Sequence, residues 1–125
     1  MLHIIVQNGI TIARFKNISR FNSIISQSVK DELNTIMKHQ DVKLIIDFDN
    51  IKYIDSSAFG ALISILKTAK ENNGKLRFSN MSSEVMELIE VMQLNTIFNI
   101  FATIEDALIG FYYLSFESYS TYINN

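Results

Sequence analysis

The hydrophobic period of this chain changes at Asp55-Ser56-Ser57, and that change constrains the fold more than any other feature. Before it, Val42-Lys43-Leu44-Ile45-Ile46-Asp47-Phe48 is a short apolar run with β-branched residues, the pattern of a central strand. After it, Ala58, Ala61, Leu62, Ile65, Leu66 and Ala69 recur at helical spacing and predict the buried stripe of a helix from about Ser57 to Asn72. Lys75-Leu76-Arg77-Phe78-Ser79 then alternates as a second strand. A strand, a helix and a strand in this order imply parallel strands joined by a right-handed crossover.

The same grammar extends in both directions. Leu2–Val6 and Ile10–Phe15 flank Gln7-Asn8-Gly9, which reads as the tight turn of a hairpin. Lys16–Asn22 is polar and reads as a loop. From Ser23 a helix is predicted, with Ile25, Val29, Leu33, Ile36 and Met37 on one face and Asn22 or Ser23 as its cap. Gly74 is expected to end the helix after the junction in the left-handed conformation. A third helix buries Val85, Leu88, Ile89 and Met92, capped by Ser82 or Ser83. Ile97–Phe101 is a last strand, and Thr103 with Asp106 resembles a capping box. It opens a helix that uses Ile104, Ala107, Leu108 and Phe111 and continues through Leu114. The expected order is β-β-α-β-α-β-α-β-α: an α/β fold with a mixed sheet.

Composition narrows the function. Eleven basic residues against 13 acidic give a net charge of −2 with no basic stripe, which argues against nucleic acid. No cysteine is present, so thiol nucleophiles, thiolate metal sites and disulfides are excluded. No apolar stretch reaches the roughly 20 residues that span a bilayer, and no signal-peptide pattern opens the chain. A soluble cytoplasmic protein without direct membrane insertion is expected. Asp47 and Asp49 share a face only if their strand continues; they read as water-facing residues at a frayed strand end more readily than as metal ligands. His3 and His39 have no metal-ligand spacing. Neither a glycine-flanked nucleophile elbow nor a glycine-rich phosphate loop occurs, so neither an enzyme nor a cofactor is expected.

The junction therefore carries the chemistry. Asp55 or Ser56 can cap the helix, and Ser57 then falls in its first turn near the solvent-facing rim. A phosphate there is tolerated by the helix start. It also adds roughly 1.5 to 2 negative charges beside Asp55, which repel an acidic or tightly packed partner. Local spacing alone also fits a plain capped helix. Phe59, in the same turn, is either core or a docking residue.

The surroundings add a resemblance. The apolar strand, Tyr53-Ile54-Asp55-Ser56-Ser57-Ala58-Phe59-Gly60-Ala61-Leu62, the Asn73-Gly74-Lys75-Leu76 turn and the helix ending near Met92-Gln93-Leu94 resemble the STAS domain family, named for sulfate transporters and anti-sigma-factor antagonists. Ile97–Phe101 and Thr103–Leu108 match its closing strand and helix. The resemblance implies a mixed sheet with an initial hairpin and helices packed mainly on one side, over residues 1–115, with 116–125 as an aromatic extension. It implies a regulator that binds an anti-sigma factor or switch-type serine kinase and is released when Ser57 is phosphorylated. A phosphatase would restore binding. The other implied role is a non-phosphorylated scaffold subunit of a transport or signalling complex. The partner surface it suggests is Asp55, Ser56, Ser57 and Ala58, joined by Ile18, Phe21, Ile63 and Lys67. Three departures stand out: Ala58 where the family commonly has glycine, Lys16-Asn17-Ile18-Ser19 in place of a loop with glycine and aspartate, and the tail. There Phe111, Tyr112, Tyr113, Phe116, Tyr119 and Tyr122 fold back over the domain, make a partner or homodimer contact, or stay disordered.

Overall fold

The structure is a computed structural model that describes residues 1–111. Five strands form one sheet in the order β1-β2-β4-β6-β7: β1 (Leu2–Gln7), β2 (Ile10–Phe15), β4 (Lys43–Asp47), β6 (Lys75–Ser79) and β7 (Asn99–Phe101). The β1–β2 pair is antiparallel and the other three pairs are parallel. The hairpin turn is the predicted one. Asn8 and Gly9 both take positive φ, 51° and 78°, the twist that two-residue hairpin loops require.

Each crossover carries a helix: α1 (Ser26–Met37), α2 (Ser56–Glu71) and α3 (Ser83–Val91). Alternation along the strands divides the core. Ala13, Phe15, Leu44, Ile46, Leu76 and Phe78 point to one face and pack with the buried residues of α1, α2 and α3. Ile10, Ile12 and Ile45 point to the other, where Ile104, Ala107 and Phe111 of a fourth helix, α4 (residues 104–111), cover them. Three helices lie on one side and one on the other, as expected. Phe111 continues the buried stripe. The predicted continuation to Leu114, the boundary at residue 115, the extension 116–125 and the other tail aromatics lie outside the described residues.

Several local readings need correction. The segment read as a loop contains β3 (Arg20–Phe21), which pairs in parallel with β5 (Tyr53–Ile54). Two residues are too short to produce a readable period. Helix α1 starts at Ser26 rather than Ser23: the Asn22 side chain accepts from the Ile24 amide at 3.0 Å and closes a turn ahead of the helix. After α2 the left-handed residue is Asn73 (φ 54°), not Gly74. Gly74 answers to crowding instead, because a Cβ there would sit 2.9 Å from Met37 Cε and 3.0 Å from the Val42 carbonyl oxygen. On α3, Val85 and Ile89 are buried, whereas Leu88 and Met92, predicted inside, are exposed. The last strand is also shorter than expected, Asn99–Phe101, because the amides of Ile97 and Phe98 donate back to the Leu94 carbonyl at 3.1 and 2.9 Å and close the 3-10 turn at Leu94–Thr96.

Asp47 does not face water. It is buried, and its carboxylate accepts from Arg14 Nε, from the Asp49 amide and from Asn80 Nδ2, each at 3.0 Å. This network ties the carboxyl ends of β2 and β4 to the residue after β6.

Candidate functional site

The junction is held from below. The backbone amide of Asp55 donates to the Phe21 carbonyl at 3.3 Å, and Lys52 N–H donates to Ser19 O at 2.8 Å. The Arg20 guanidinium lies 5.4 Å from the centre of the Tyr53 ring. Thus β3 and β5 fix the strand that delivers Asp55 to the helix start.

Asp55 is the N-cap of α2, with extended backbone (φ −125°, ψ −175°). Its Oδ1 accepts from the Ser57 amide at 3.0 Å, the Ala58 amide at 3.3 Å and the Ser57 hydroxyl at 2.5 Å. Two amides that a helix start leaves unpaired are thereby satisfied. The Ser57 hydroxyl is the largest influence holding the Asp55 carboxyl below its ordinary value; burial works against it, and the amides of Ala58, Ser57 and Ser23 add to the lowering. Asp55 is therefore an ionised acceptor at neutral pH. Because Ser57 spends its proton on Asp55, the lone pairs of its Oγ are left for an incoming electrophile.

The lowered carboxyl makes a testable statement about stability. A carboxyl depressed in the folded state stabilises the fold above its unfolded value of about 4, and this is lost as pH falls through the folded value. Asp55→Ala is therefore expected to melt below the parent at neutral pH, with the gap narrowing below a pH of about 4. Asp55→Asn, which keeps an acceptor oxygen, should fall between them. Glu84, lowered by its own amide and by the Ser82 hydroxyl, contributes equally to all three proteins and cancels. Thermal melts from pH 7 downward check this; a gap that does not change with pH would refute the role given to the carboxylate.

Around Ser57, α1 and α2 enclose a groove of about 300 Å³ lined by Ser26, Gln27 and Lys30 on one side and Ser57, Gly60, Ala61 and Ser64 on the other. Ser57 is half-buried on its rim, and Ser56 and Gly60 are exposed. Small residues at 57, 60, 61 and 64 keep the groove open. Their helical spacing is visible in the sequence but was not predicted to form a cleft, and Ser26, Gln27 and Lys30 were not anticipated as neighbours.

The predicted partner surface separates into parts. Asp55, Ser56 and Ser57 come together. Ala58 and Phe21 are fully buried and present no side chain to a partner. Phe21 belongs to an aromatic cluster with Phe15 and Phe48, at ring-centre distances of 5.2 and 6.4 Å. Phe59 is core as well. Ile18 is half-buried against the core. Ile63 and Lys67 are exposed, but with Leu66, Lys70, Glu71 and Ile97 they line a second groove of about 440 Å³. Lys67 stands about 15 Å along the helix axis from Ser57. Among the described residues, no group of three or more His, Cys, Asp or Glu side chains could hold a metal ion, and no helix is long and apolar enough to cross a membrane.

Known proteins share this architecture. The anti-sigma-B factor antagonist of Bacillus subtilis is 27% identical over 89 residues, covering 71% of this chain and 82% of that protein. An anti-sigma-factor antagonist (STAS) domain protein from Planctomyces limnophilus superposes with a TM-score of 0.81 at 19% identity, over 87% of this chain and 96% of that one. The Bacillus cell fate determinant SpoIIAA in its phosphorylated form superposes with a TM-score of 0.63 at 15% identity, over 86% of this chain and 96% of the other. The STAS domain family model matches residues 4–107, which span β1 to α4 and contain the whole junction, and the chain belongs to the STAS domain family.

Proposed function

We propose that this protein is a phosphorylation-controlled binding module that acts as an anti-sigma-factor antagonist. It docks an anti-sigma factor, or a serine kinase of the switch type, on the rim formed by Ser56, Ser57 and Gly60 and the facing side of α1. Phosphoryl transfer from ATP to Ser57 Oγ ends the complex, and a phosphatase resets it. The observation that carries this reading is the Asp55–Ser57 pair: a half-exposed hydroxyl, oriented by an ionised carboxylate, at the edge of a groove. The similarity to the anti-sigma-B factor antagonist and to a protein known in a phosphorylated form supports it.

Once Ser57 carries phosphate, it has no proton to give Asp55. The hydrogen bond becomes a repulsion between two anions, and Lys30 is the cation lining the same groove. Incubation with the partner kinase and ATP, followed by mass-spectrometric mapping, is expected to find phosphate on Ser57 and none in Ser57→Ala. Phosphate elsewhere, or none with an active kinase, refutes the switch.

Gly60 gives a second check. It is exposed inside α2, and a Cβ there would meet nothing within 4 Å, so the fold gives no reason for glycine. Gly60→Ala is expected to raise stability by about 0.5–1 kcal/mol while weakening partner binding through a methyl on the docking rim. Unchanged binding would place the partner elsewhere.

A further inference from the structure

Five of the ten large apolar side chains exposed among the described residues gather at one end of the helical face: Ile63, Leu88, Val91, Met92 and Ile97. Met92 caps the end of α3, the 3-10 turn at Leu94–Thr96 packs back on α3, and Ile97 follows it directly. Ile97 then shares the 440 Å³ groove with Ile63 and Leu66 of α2. Val91 is 73% exposed and Met92 52%. Clustering of this kind marks a surface that another surface covers.

Charge indicates the occupant. The α2 border of the strip carries Lys67 and Lys70 with Glu71 beside them, all exposed, and is net cationic. The α3 border carries Glu87 and Glu90, also exposed, and α3 has no basic residue. A net cationic flank on α2 and a wholly acidic flank on α3 make the patch complementary to itself after a two-fold rotation, which sets each lysine pair opposite the other copy's α3 glutamates. A foreign partner would have to supply this pattern, whereas a second copy already has it.

We infer that the protein forms a two-fold dimer through this strip, with α2 of each copy against α3 of the other. The surface is separate from the Ser57 rim and lies toward the opposite end of α2, so both junctions stay open in the dimer. The inference does not depend on the phosphorylation switch.

Sedimentation velocity of the full chain over a concentration series tests it. The parent protein is expected to pass from monomer to dimer as concentration rises. Lys67→Glu with Lys70→Glu should weaken the dimer by roughly tenfold or more, and so should Glu87→Lys with Glu90→Lys, because each sets like charges together. An equimolar mixture of the two variants should recover a dimer of one copy each, since both contacts then pair opposite charges. All four sites are exposed, and thermal melts verify that the variants stay folded. A parent protein that remains a monomer throughout overturns the inference, as does a dimer indifferent to the substitutions. Failure of the mixture to re-form a dimer overturns it too.

Discussion

Ser57→Asp is expected to weaken binding to the anti-sigma factor by roughly tenfold or more, and authentic phosphoserine by about a hundredfold, without unfolding the protein. The two halves of this expectation have separate causes. Position 57 is the second residue of α2, where the exposed amides of a helix start favour negative charge by about 0.3–1 kcal/mol. The nearby Asp55 carboxylate opposes a new anion by a comparable amount, so the melting temperature should stay nearly constant. Binding has no such compensation, because a partner seated on the rim must desolvate the added charge and meet it beside Asp55. Ser57→Ala removes the hydrogen bond to Asp55 and the acceptor oxygen together. It should bind constitutively and resist release by kinase and ATP. Calorimetric titration of the three proteins with the purified partner decides the matter. Equal affinities for parent, Ser57→Asp and phosphoprotein would leave a docking module of this fold with no phosphate control.

Much of this site is legible in the sequence. The change of period at Asp55 located the strand-to-helix transition. Asp55 was one of two candidate caps because a short acceptor side chain at a helix start has few other uses. What the sequence could not reveal was long-range support. Arg20-Phe21 and Tyr53-Ile54 form a two-residue pairing, below the length at which alternation can be read, and the bonds that flank it, Lys52 to Ser19 and Asp55 to Phe21, join residues far apart in sequence. Asp47 looked like a frayed, water-facing carboxylate because Arg14, its ion-pair partner, lies 33 positions away. Leu88 and Met92 fitted a helical stripe. However, α3 is only nine residues long and links β6 to β7, the last strand of the sheet, and the residues it buries are Val85 and Ile89. In each case local pattern was overruled by the position of an element within the sheet.

Phe21 gives the sharpest separation between docking and core, since it was expected on the partner surface and is fully buried. Its ring fills the space under the junction beside Phe15 and Phe48, and Phe48 leads on to Phe78 and Phe78 to Phe98. Removing it leaves a cavity that this packed aromatic chain cannot close without breaking its own contacts. Phe21→Ala is therefore expected to destabilise the protein by about 3–5 kcal/mol, a large share of the roughly 5–15 kcal/mol typical of a domain. The melting temperature should fall by on the order of 10 °C or more. Phe21→Leu, which keeps most of the volume, should lose far less. The bond that supports the cap runs from the Asp55 amide to the backbone carbonyl of Phe21, which the side-chain truncation leaves in place. Binding measured well below the variant's own melting temperature should remain close to that of the parent, because no Phe21 atom reaches the rim. A Phe21→Ala protein that melts like the parent yet loses its partner would return this side chain to the docking surface. The expected result, large loss of stability with binding retained while folded, instead makes Phe21 the post on which the Asp55–Ser57 pair stands.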